Sequence, residues 1–550
     1  MKRSSIFSQV VRFCTAILVC TLVVALVPEQ GSQVAASIPD DGLTLAQRST
    51  DGQPRAPAQT WTRTLEPLIV SGSELPLFNG VALADLFVYA YDGSTWTVVP
   101  FQFDEVGLED SFVPFEDGLL DADDQLVFMA ADLGDKAEPY EWLANADSQS
   151  HSRYEIHVTN PLSAAQEGWV YVYHSTTLAP TFAPYVTWDG ASNTIMASTY
   201  VIGLAPGAHL GMDSLRLNGH AEDVLDRSKL RLSGDCLTED GWEHFDLTED
   251  SEELIDSWES PDIPGPVRAG GGKLNNQSWY YASLYEEHTR FREVRNNQCE
   301  RLRYDLLRIS EDWRNPAASG MAPMHYFDSN TPLGVMIDGV YDQISTSLPE
   351  WRQVNGVLGS VMEVVDIDAA DSEVSNYYLD LNQEDPDDTG DQRSFGDAGF
   401  RVVSPPDTTW ISITHYVLDP LLINVGELYR QYYDNPLEAA ATAQGFFDPT
   451  PHAINYSWSP WPVFTGVETT FTATVDGVGP FTYDWDFGDG AGVASGNVVT
   501  HTFSLSGTIP VSLSVTNDYG TGEVVGNILV WEPGAEIHLI YTPLVLRNAP

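Results

Sequence analysis

Strict alternation of apolar and polar residues near the C-terminus is the feature that most constrains this chain. In "FTYDWDF" the rings of Phe481, Tyr483, Trp485 and Phe487 are separated by threonine or aspartate, and "VSLSV" at 511–515 alternates in the same way. Successive side chains of a β-strand point to opposite faces, so this period of two sends the rings to a core and the polar residues to solvent. The pattern therefore predicts strands that each bury one face.

The glycine-rich turn that follows accounts for its acids without any chemistry. Asp484 and Asp486 fall on the solvent side of the strand, opposite the rings. Gly488 and Gly490 permit the dihedral angles of a tight turn, and Asp489 between them can accept hydrogen bonds from nearby backbone amides. The motif predicts a strand and a turn rather than a catalytic site.

This stretch resembles the PKD (polycystic kidney disease) domain family over residues 452–532. The strand and turn are followed by a His-x-aromatic pair and by a Gly-Thr strand that ends in Val-x-Asn, in the order usual for the family. The matching positions are Tyr483, Trp485, Asp486, Phe487, Gly488, Asp489, Gly490, His501, Phe503 and Asn517. The resemblance implies an immunoglobulin-like β-sandwich. It also implies an accessory role in exported proteins, as a spacer, an adhesion unit or a contact with glycans or proteins.

The resemblance departs from the family pattern at one point. The family commonly has an aromatic residue and a threonine where this chain has Ile509 and Pro510. Proline cannot donate a hydrogen bond to a neighbouring strand, so we expect this strand to start late or to lie at a sheet edge.

Residues 61–445 are also predicted to be mainly antiparallel β-structure, so the fold class is all-β with few short helices. Short runs rich in β-branched and aromatic residues, such as "DLFVYAY" and "WVYVYH", are separated by turn clusters throughout this range. The Pro- and Gly-rich range 258–276 is a candidate seam between two domains. Helices are expected within 248–258 and within 425–443, the second broken near Pro436.

The two ends of the chain point to export. Basic residues precede an apolar run at 13–27, and small residues follow it, which is typical of a signal peptide over residues 1–36. An uncleaved anchor is the alternative, although the run is shorter than the ~20 residues of a membrane span. Residues 37–60 read as a flexible lead-in and 446–460 as a linker. The tail at 533–550 is either an attachment signal or a final strand. We therefore expect a secreted or cell-surface protein, with bacterial-type export, that meets membranes only through these ends.

The net charge narrows the choice of partners. The chain carries 26 Lys and Arg against 79 Asp and Glu, a formal net charge of −53. Such a surface repels nucleic acid and anionic lipid, so neither is an expected partner. It attracts divalent cations and basic groups, or it serves solubility alone. An extracellular glycan or protein remains the expected partner.

Two cysteines remain after the apolar leader, Cys236 and Cys299. An even pair in an exported chain predicts a disulfide, which would stabilise by about 4 kcal/mol on the entropic model. The alternative is two buried free thiols.

The densest acidic loop is "FEDGLLDADDQLVF" at 115–128. Its carboxylates Asp117, Asp121, Asp123 and Asp124 surround a turn glycine, as calcium ligands often do, so Ca²⁺ is the one cofactor the sequence suggests. The loop lacks the full D-x-D-x-D-G pattern, and a solvated turn is the alternative.

The sequence contains no G-x-S-x-G, H-E-x-x-H or P-loop motif, and no G-x-G-x-x-G in a βαβ context. Tyr281, His288 and Arg290 are of the types that polysaccharide lyases use, but three common residues carry little weight. Segments such as "DGLLDADDQLVFMA" and "GPVRA" are similar to pieces of uncharacterised exported bacterial proteins, which carries over no site. The sequence favours a secreted or cell-surface β protein with a binding or structural role. The alternative is an extracellular polysaccharide-degrading glycoside hydrolase or lyase with an accessory PKD-like domain, whose catalytic residues the sequence does not identify.

Overall fold

The computed structural model describes residues 61–106, 117–204, 212–251, 259–273, 276–292, 301–314, 322–369, 372–381, 394–405 and 408–535. These residues form seven sheets whose strands pair antiparallel apart from one short parallel pair, which confirms the all-β fold class. Strands are numbered below in chain order. No helix among these residues has the length and hydropathy needed to cross a membrane.

The N-terminal part is a sandwich of a three-stranded and a five-stranded sheet. The smaller sheet has the order β1 (Pro67–Ser71), β5 (Gln125–Met129), β4 (Phe101–Asp104). The larger has the order β26 (Glu438–Gln444), β6 (Arg153–Asn160), β7 (Ser163–His174), β2 (Leu86–Tyr91), β3 (Trp96–Val98). Apolar residues from both sheets, among them Leu126, Val88 and Ile156, form one buried cluster. Short 3-10 turns at Gly72–Glu74, Pro76–Phe78, Leu83–Asp85 and Ala130–Asp132 and the helix α1 (Ala146–Gln149) connect these strands.

A nine-stranded sheet is the central layer of the large region. Its order is β14 (Glu259–Pro264), β15 (Ala269–Lys273), β16 (Asn276–Tyr280), β17 (Leu284–Arg292), β25 (Thr408–Leu418), β22 (Gly359–Asp368), β21 (Arg352–Gly356), β19 (Met324–Asp328), β20 (Thr331–Ile337). The range 258–276, the candidate seam, therefore contains two of its strands, and Val267 and Arg268 between them are buried.

Two further sheets pack on one face of this layer. A five-stranded sheet has the order β13 (Gly241–Thr248), β12 (Leu225–Thr238), β18 (Arg301–Arg314), β24 (Ser394–Val403), β23 (Glu373–Asp380). A four-stranded sheet has the order β11 (Met212–Leu217), β10 (Tyr200–Leu204), β9 (Thr194–Ala197), β8 (Val186–Asp189). Leu307 and Phe400 of the five-stranded sheet pack against Ile411 and Ile413 of the nine-stranded sheet, so the two sheets share a core.

The opposite face of the nine-stranded sheet is joined to the N-terminal sandwich by a buried ion pair. The Arg268 guanidinium donates through Nε to Asp104 Oδ2 at 2.6 Å and through Nη2 to Gln125 Oε1 at 2.9 Å. Gln102 Oε1 accepts the backbone amides of Val267 and Arg268 at 2.9 and 2.8 Å. The "GPVRA" segment thus connects the nine-stranded sheet to the N-terminal sandwich.

Helix α2 (Gly426–Asp434) covers part of the same face, where Tyr429 and Tyr433 pack beside Trp351. It lies in the range predicted to contain a helix and ends two residues before Pro436. Beyond the predicted break at Pro436 the chain continues as the strand β26 rather than as a helix. The predicted helix within 248–258 lies mostly outside the described residues, and Thr248 is the last residue of β13.

The C-terminal sandwich has one three-stranded and one five-stranded sheet. The first has the order β27 (His452–Ser459), β29 (Glu468–Asp476), β32 (Val498–Thr502). The second has the order β28 (Val463–Phe464), β34 (Gly520–Trp531), β33 (Gly507–Asn517), β30 (Thr482–Asp486), β31 (Val493–Ser495). Trp485, Phe487 and Phe471 are fully buried between the sheets, as the alternation predicts, whereas Tyr483 is only partly buried.

The expectation that the strand containing Pro510 starts late is wrong, because β33 begins at Gly507. Pro510 lies opposite Asn527 of β34, while pairing with β30 begins only at Ser512. At Pro510 the strand has a paired neighbour on one side only, so a missing amide donor is tolerated there.

Candidate functional site

A row of buried polar and aromatic side chains crosses the nine-stranded sheet, and we call it the buried polar row. Residues directly opposite each other on antiparallel strands share a face, so the register alone puts its members side by side. They are Tyr280, Tyr285, His415, Glu363, Arg352 and Asp328, on β16, β17, β25, β22, β21 and β19. Each is less than 9% exposed. These side chains lie on the face that is covered by the five-stranded sheet containing β12, β18 and β24.

The opposing sheet contributes Glu311, which reaches the buried polar row from β18. Its Oε1 lies 2.7 Å from His415 Nε2. Glu363 is held on its other side by the Arg352 guanidinium. One oxygen each from Glu311 and Glu363 and one ring nitrogen of His415 all lie within 4.8 Å of one another. We call these three residues the Glu–Glu–His cluster.

Glu287 adds a third carboxylate at the edge of the cluster. It lies two residues beyond Tyr285 on β17 and so on the same face as His415, and it is 8% exposed. Burial raises the pKa of Glu287 to about 7; His415 opposes the rise, while the charges of Glu311 and Glu363 add to it. Among the described residues, Glu287 Oε1 has no hydrogen-bond partner.

His415 is enclosed as tightly as the acids are. The Tyr285 ring stacks on it with centroids 4.1 Å apart. Burial alone would lower the pKa of His415, but Glu311 at Nε2 and the nearby Glu363 and Glu287 outweigh burial and raise it. The cluster can therefore hold a proton, a water molecule or a cation between its carboxylates.

The space beside the cluster is very small. A cavity of about 10 Å³ is lined by Glu311, Trp313, Tyr326, Arg352, Gln353, Val354, Val361, Glu363 and Ala398. That volume suits a single water molecule, whereas sites for organic ligands usually enclose roughly 300–1,000 Å³. These carboxylates consequently have no room to flank a sugar ring.

The predicted calcium loop is organised by its own backbone. Asp124 is 1% exposed and accepts the amides of Val106 at 3.2 Å and Asp121 at 2.8 Å. Asp117 accepts the amide of Leu119, and Asp121 accepts the amide of Asp123. Burial raises the pKa of Asp124 to about 6, against the lowering effect of these two amides. The four predicted ligands are not among the sets of three or more that the described residues bring within 4.8 Å.

The second such set is solvent-exposed and consists of Asp235 and His244, on the β12–β13 hairpin, and Asp305, on the neighbouring strand β18. His244 Nδ1 is 3.1 Å from Asp235 Oδ1 and 4.0 Å from Asp305 Oδ2. All three side chains are more than a third exposed to solvent, which competes for any cation they might hold. Cys236, which follows Asp235 in β12, is buried and disulfide-bonded. Its predicted partner Cys299 lies outside the described residues, so the pairing stays a prediction.

The three residues of lyase-like type differ in their surroundings. Tyr281 is fully buried and its hydroxyl accepts from Arg268 Nη1 at 3.2 Å, on the face that joins the N-terminal sandwich. His288 is partly exposed and lies 3.7 Å from Glu286. The side chain of Arg290 lies outside the described residues.

Two residues of the C-terminal motif, Asp489 and His501, make a contact that the sequence patterns did not predict. Asp489 accepts the Ala491 amide at 3.0 Å, as a turn-former should, but its other oxygen lies 3.0 Å from His501 Nε2. The His501 ring stacks on Phe487 at 4.0 Å. One pattern in the sequence could have indicated this contact. His501 is followed two residues later by Phe503, a spacing that places both side chains on the same face of an extended chain, and Phe503 packs in the core with Phe487.

Asn517 closes the far end of this sandwich. Its side-chain amide donates to the carbonyls of Pro449 and Val478 at 2.7 and 2.8 Å, and its oxygen accepts the amides of Tyr519 and Gly520. Asp486 likewise accepts the Gly488 amide at 2.9 Å. The polar residues of the motif thus satisfy backbone groups of the fold.

Comparisons with known proteins agree with this interpretation of the C-terminal sandwich. Residues 462–528 match the family model of the PKD domain, which confirms the resemblance seen in the sequence. No curated protein sequence matches the chain.

Two solved structures are similar in a looser sense, and both contain the N-terminal four Ig domains of Dscam1. Isoform 6.44 is 11% identical, covering 80% of this chain and 93% of that chain, with a TM-score of 0.13. Isoform 8.4 is 10% identical, covering 64% of this chain and 92% of that chain, with a TM-score of 0.11. Scores this low carry no argument about architecture or function.

Proposed function

We propose that this protein is an exported, multidomain β protein with a binding or structural role outside the cell, in which the PKD module acts as a spacer or adhesion unit. The observation that carries the proposal is the match of residues 462–528 to the PKD family. The motif residues of this module pack in its core or form hydrogen bonds with its backbone. Such modules are accessory parts of exported proteins, so the partner is expected at another surface or on the module's outer faces.

The large region supports a binding role over a catalytic one. Among the described residues, the buried pair of converging carboxylates, Glu311 and Glu363, is enclosed between two sheets beside a cavity of about 10 Å³. A glycosidase needs two carboxyl groups on opposite sides of a bound sugar, roughly 5–10 Å apart and reachable by it. This cluster does not meet that requirement.

The charge of −53 selects among extracellular partners. It disfavours acidic glycans and nucleic acid and leaves neutral glycans or basic protein surfaces. Of these we propose neutral polysaccharide as the ligand. The ring of Trp461, which is 63% exposed, is of the type that stacks on sugar rings.

The proposal is tested with the chain from residue 37 to 550, screened on a panel of neutral and acidic polysaccharides. Retention and released products are scored on the same samples, the products as reducing ends and as unsaturated uronides. Retention on neutral polysaccharide without product is the expected result.

Two outcomes would overturn the proposal. Released product would make the protein an enzyme, and a lack of retention on every polysaccharide would remove glycans as ligand. A Gly488→Ala variant, which should disrupt the PKD module alone, serves as the matched control. If retention survives in it, the large region rather than the module binds.

A further inference from the structure

We propose that Glu311, Glu363 and His415 bind one divalent transition-metal ion, of the class of Zn²⁺, Mn²⁺ or Fe²⁺, between the two large sheets. This site differs in residues and in ligand chemistry from the calcium loop considered above, and it does not depend on the proposed function.

The ligand atoms already converge. One donor atom from each residue lies within 4.8 Å of the other two, and His415 Nε2 lies 2.7 Å from Glu311 Oε1. A metal ion at about 2.0–2.2 Å from nitrogen and carboxylate oxygen sets its ligands roughly 3–4 Å apart. To surround such an ion, the 2.7 Å contact between His415 and Glu311 would open to this spacing, while the other ligand atoms already lie within 4.8 Å.

His415 and Glu311 are in direct contact through the atoms that would bind the ion. His415 Nε2 and Glu311 Oε1 lie 2.7 Å apart, although the contact lacks the direction of a good hydrogen bond. An ion would replace this contact with two metal–ligand bonds.

Glu287 gives an independent indication. Its side chain is more than nine-tenths buried on the same sheet face, and its Oε1 has no hydrogen-bond partner among the described residues. A buried carboxylate oxygen without a partner is costly, because it has lost water and gained nothing in exchange. A cation held by the Glu–Glu–His cluster would supply the missing attraction, with Glu287 as a further ligand or as a neighbouring charge.

The charge of the site argues for a divalent ion. Three buried carboxylates, those of Glu287, Glu311 and Glu363, lie near His415, and the Arg352 guanidinium binds Glu363. Buried charge without compensation is strongly unfavourable. A divalent cation at His415 would offset the charges of Glu287 and Glu311. Arg352 would then orient Glu363, and the stacked Tyr285 ring would fix the plane of His415.

The donor set selects the kind of metal. An imidazole nitrogen favours zinc, iron and similar ions, and carboxylates are shared by manganese, while calcium seeks six to eight oxygens. The cavity of about 10 Å³ beside Glu311 and Glu363 has room for one water as an additional ligand. Glu311 lies on β18 of one five-stranded sheet, whereas Glu363 and His415 lie on the nine-stranded sheet. The ion would therefore link these two sheets.

The test uses the full chain, stripped with a chelator and then dialysed separately against Zn²⁺, Mn²⁺, Fe²⁺ (anaerobically), Ca²⁺ and Mg²⁺. Bound metal per chain is measured by mass spectrometry of the elements, and the melting temperature is recorded for each sample. We expect one transition-metal ion per chain and a rise in melting temperature of several degrees on binding. His415→Gln and Glu311→Gln should each weaken binding more than tenfold.

His244→Gln is the matched control, because His244 also lies among carboxylates but on the exposed hairpin. It should leave both stoichiometry and melting temperature unchanged. The proposal is overturned if no transition metal binds, if His415→Gln binds as the unmodified chain does, or if only calcium binds.

A second measurement covers the case in which the buried variants do not fold. The unmodified chain is loaded with Co²⁺ or Zn²⁺, and its first coordination shell is determined by X-ray absorption. A shell containing one imidazole nitrogen together with carboxylate oxygens is expected. A shell of oxygens alone, or one with more than one imidazole, would refute the assignment.

Discussion

The Gly488–Asp489–Gly490 turn offers a matched pair of substitutions with different expected costs. Gly488 has φ of 65° and Gly490 has φ of 79°, so both occupy the left-handed region. An alanine there costs about 1–2 kcal/mol on conformation alone. The surroundings of the two positions differ, and that difference is what the experiment measures.

A Cβ at Gly490 would meet nothing within 4 Å, whereas a Cβ at Gly488 would lie 2.1 Å from the Pro510 carbonyl oxygen. That oxygen belongs to β33, which is paired with β34 at this point and cannot retreat freely. The backbone would have to separate by about 1 Å, a distortion that places Gly488→Ala in the rare class above about 4 kcal/mol. An 80-residue module is stable by roughly 4–12 kcal/mol, so much of its stability would be lost.

Amide hydrogen exchange, read by mass spectrometry on peptides from β33 and β34 of the full chain, reports the opening free energy of this module. We expect Gly490→Ala to lower it by about 1–2 kcal/mol and Gly488→Ala by at least about 2 kcal/mol more. Peptides from the nine-stranded sheet should exchange unchanged in both variants. Equal effects of the two alanines would refute the steric reasoning.

Three further predictions concern buried charges. Burial acts to raise the pKa of Asp489, but hydrogen bonds from His501 and the Ala491 amide lower it. A double-mutant cycle of Asp489→Ala and His501→Ala, followed by urea unfolding, should therefore give a coupling of about 0.5–3 kcal/mol at pH 7 that disappears in acid; the same coupling at pH 2 would contradict it. Burial raises the pKa of Asp124 to about 6 from its ordinary value of 3.8. The folded state therefore holds this proton more tightly than the unfolded state, and the free energy of unfolding falls as pH rises from 3.8 through 6. Relative to Asp124→Asn, the unmodified chain should lose about 1–2 kcal/mol between pH 4 and pH 7.5, and a pH-independent difference would exclude this cause. Arg153→Lys should cost about 2–4 kcal/mol in urea unfolding, because the fully buried guanidinium binds Glu141 O and Tyr173 Oη and lies 4.2 Å over the Trp142 ring, which one ammonium cannot reproduce. Arg430→Lys on the surface of α2 is its control and should change stability by less than about 0.5 kcal/mol.

Local patterns in the sequence predict the C-terminal sandwich well. Alternation identifies the buried Trp485 and Phe487 because a strand's two faces are read directly from consecutive residues. The same local logic anticipates the turn at Asp489. It misses the partner of Asp489, since His501 comes into contact only after two strands have packed.

Local sequence patterns could not predict the Glu–Glu–His cluster, because its contacts also form only when separate strands pack together. Glu311, Glu363 and His415 lie far apart in sequence and meet through strand pairing and sheet stacking. In a chain with 79 acids, two particular glutamates do not stand out. One signal was present: Glu363 and His415 each interrupt a strand whose other members are mostly apolar, in "VMEVVDI" and "ISITHYV". A polar residue at a position fit for a core needs a buried partner, so such interruptions indicate where polar groups meet inside the fold.

Strand β26 has a mechanical consequence for a protein anchored at one end and loaded at the other. It is the last strand before the C-terminal sandwich, and it pairs with β6 from Glu438 opposite Thr159 to Gln444 opposite Arg153. Tension transmitted through the PKD module therefore arrives first at this ladder. Its end at Gln444 is reinforced where Arg153 Nε donates to the Gln444 side chain at 2.9 Å. Under such loading we expect the ladder to begin opening at Gln444, where the contact with Arg153 opposes the separation of the two strands.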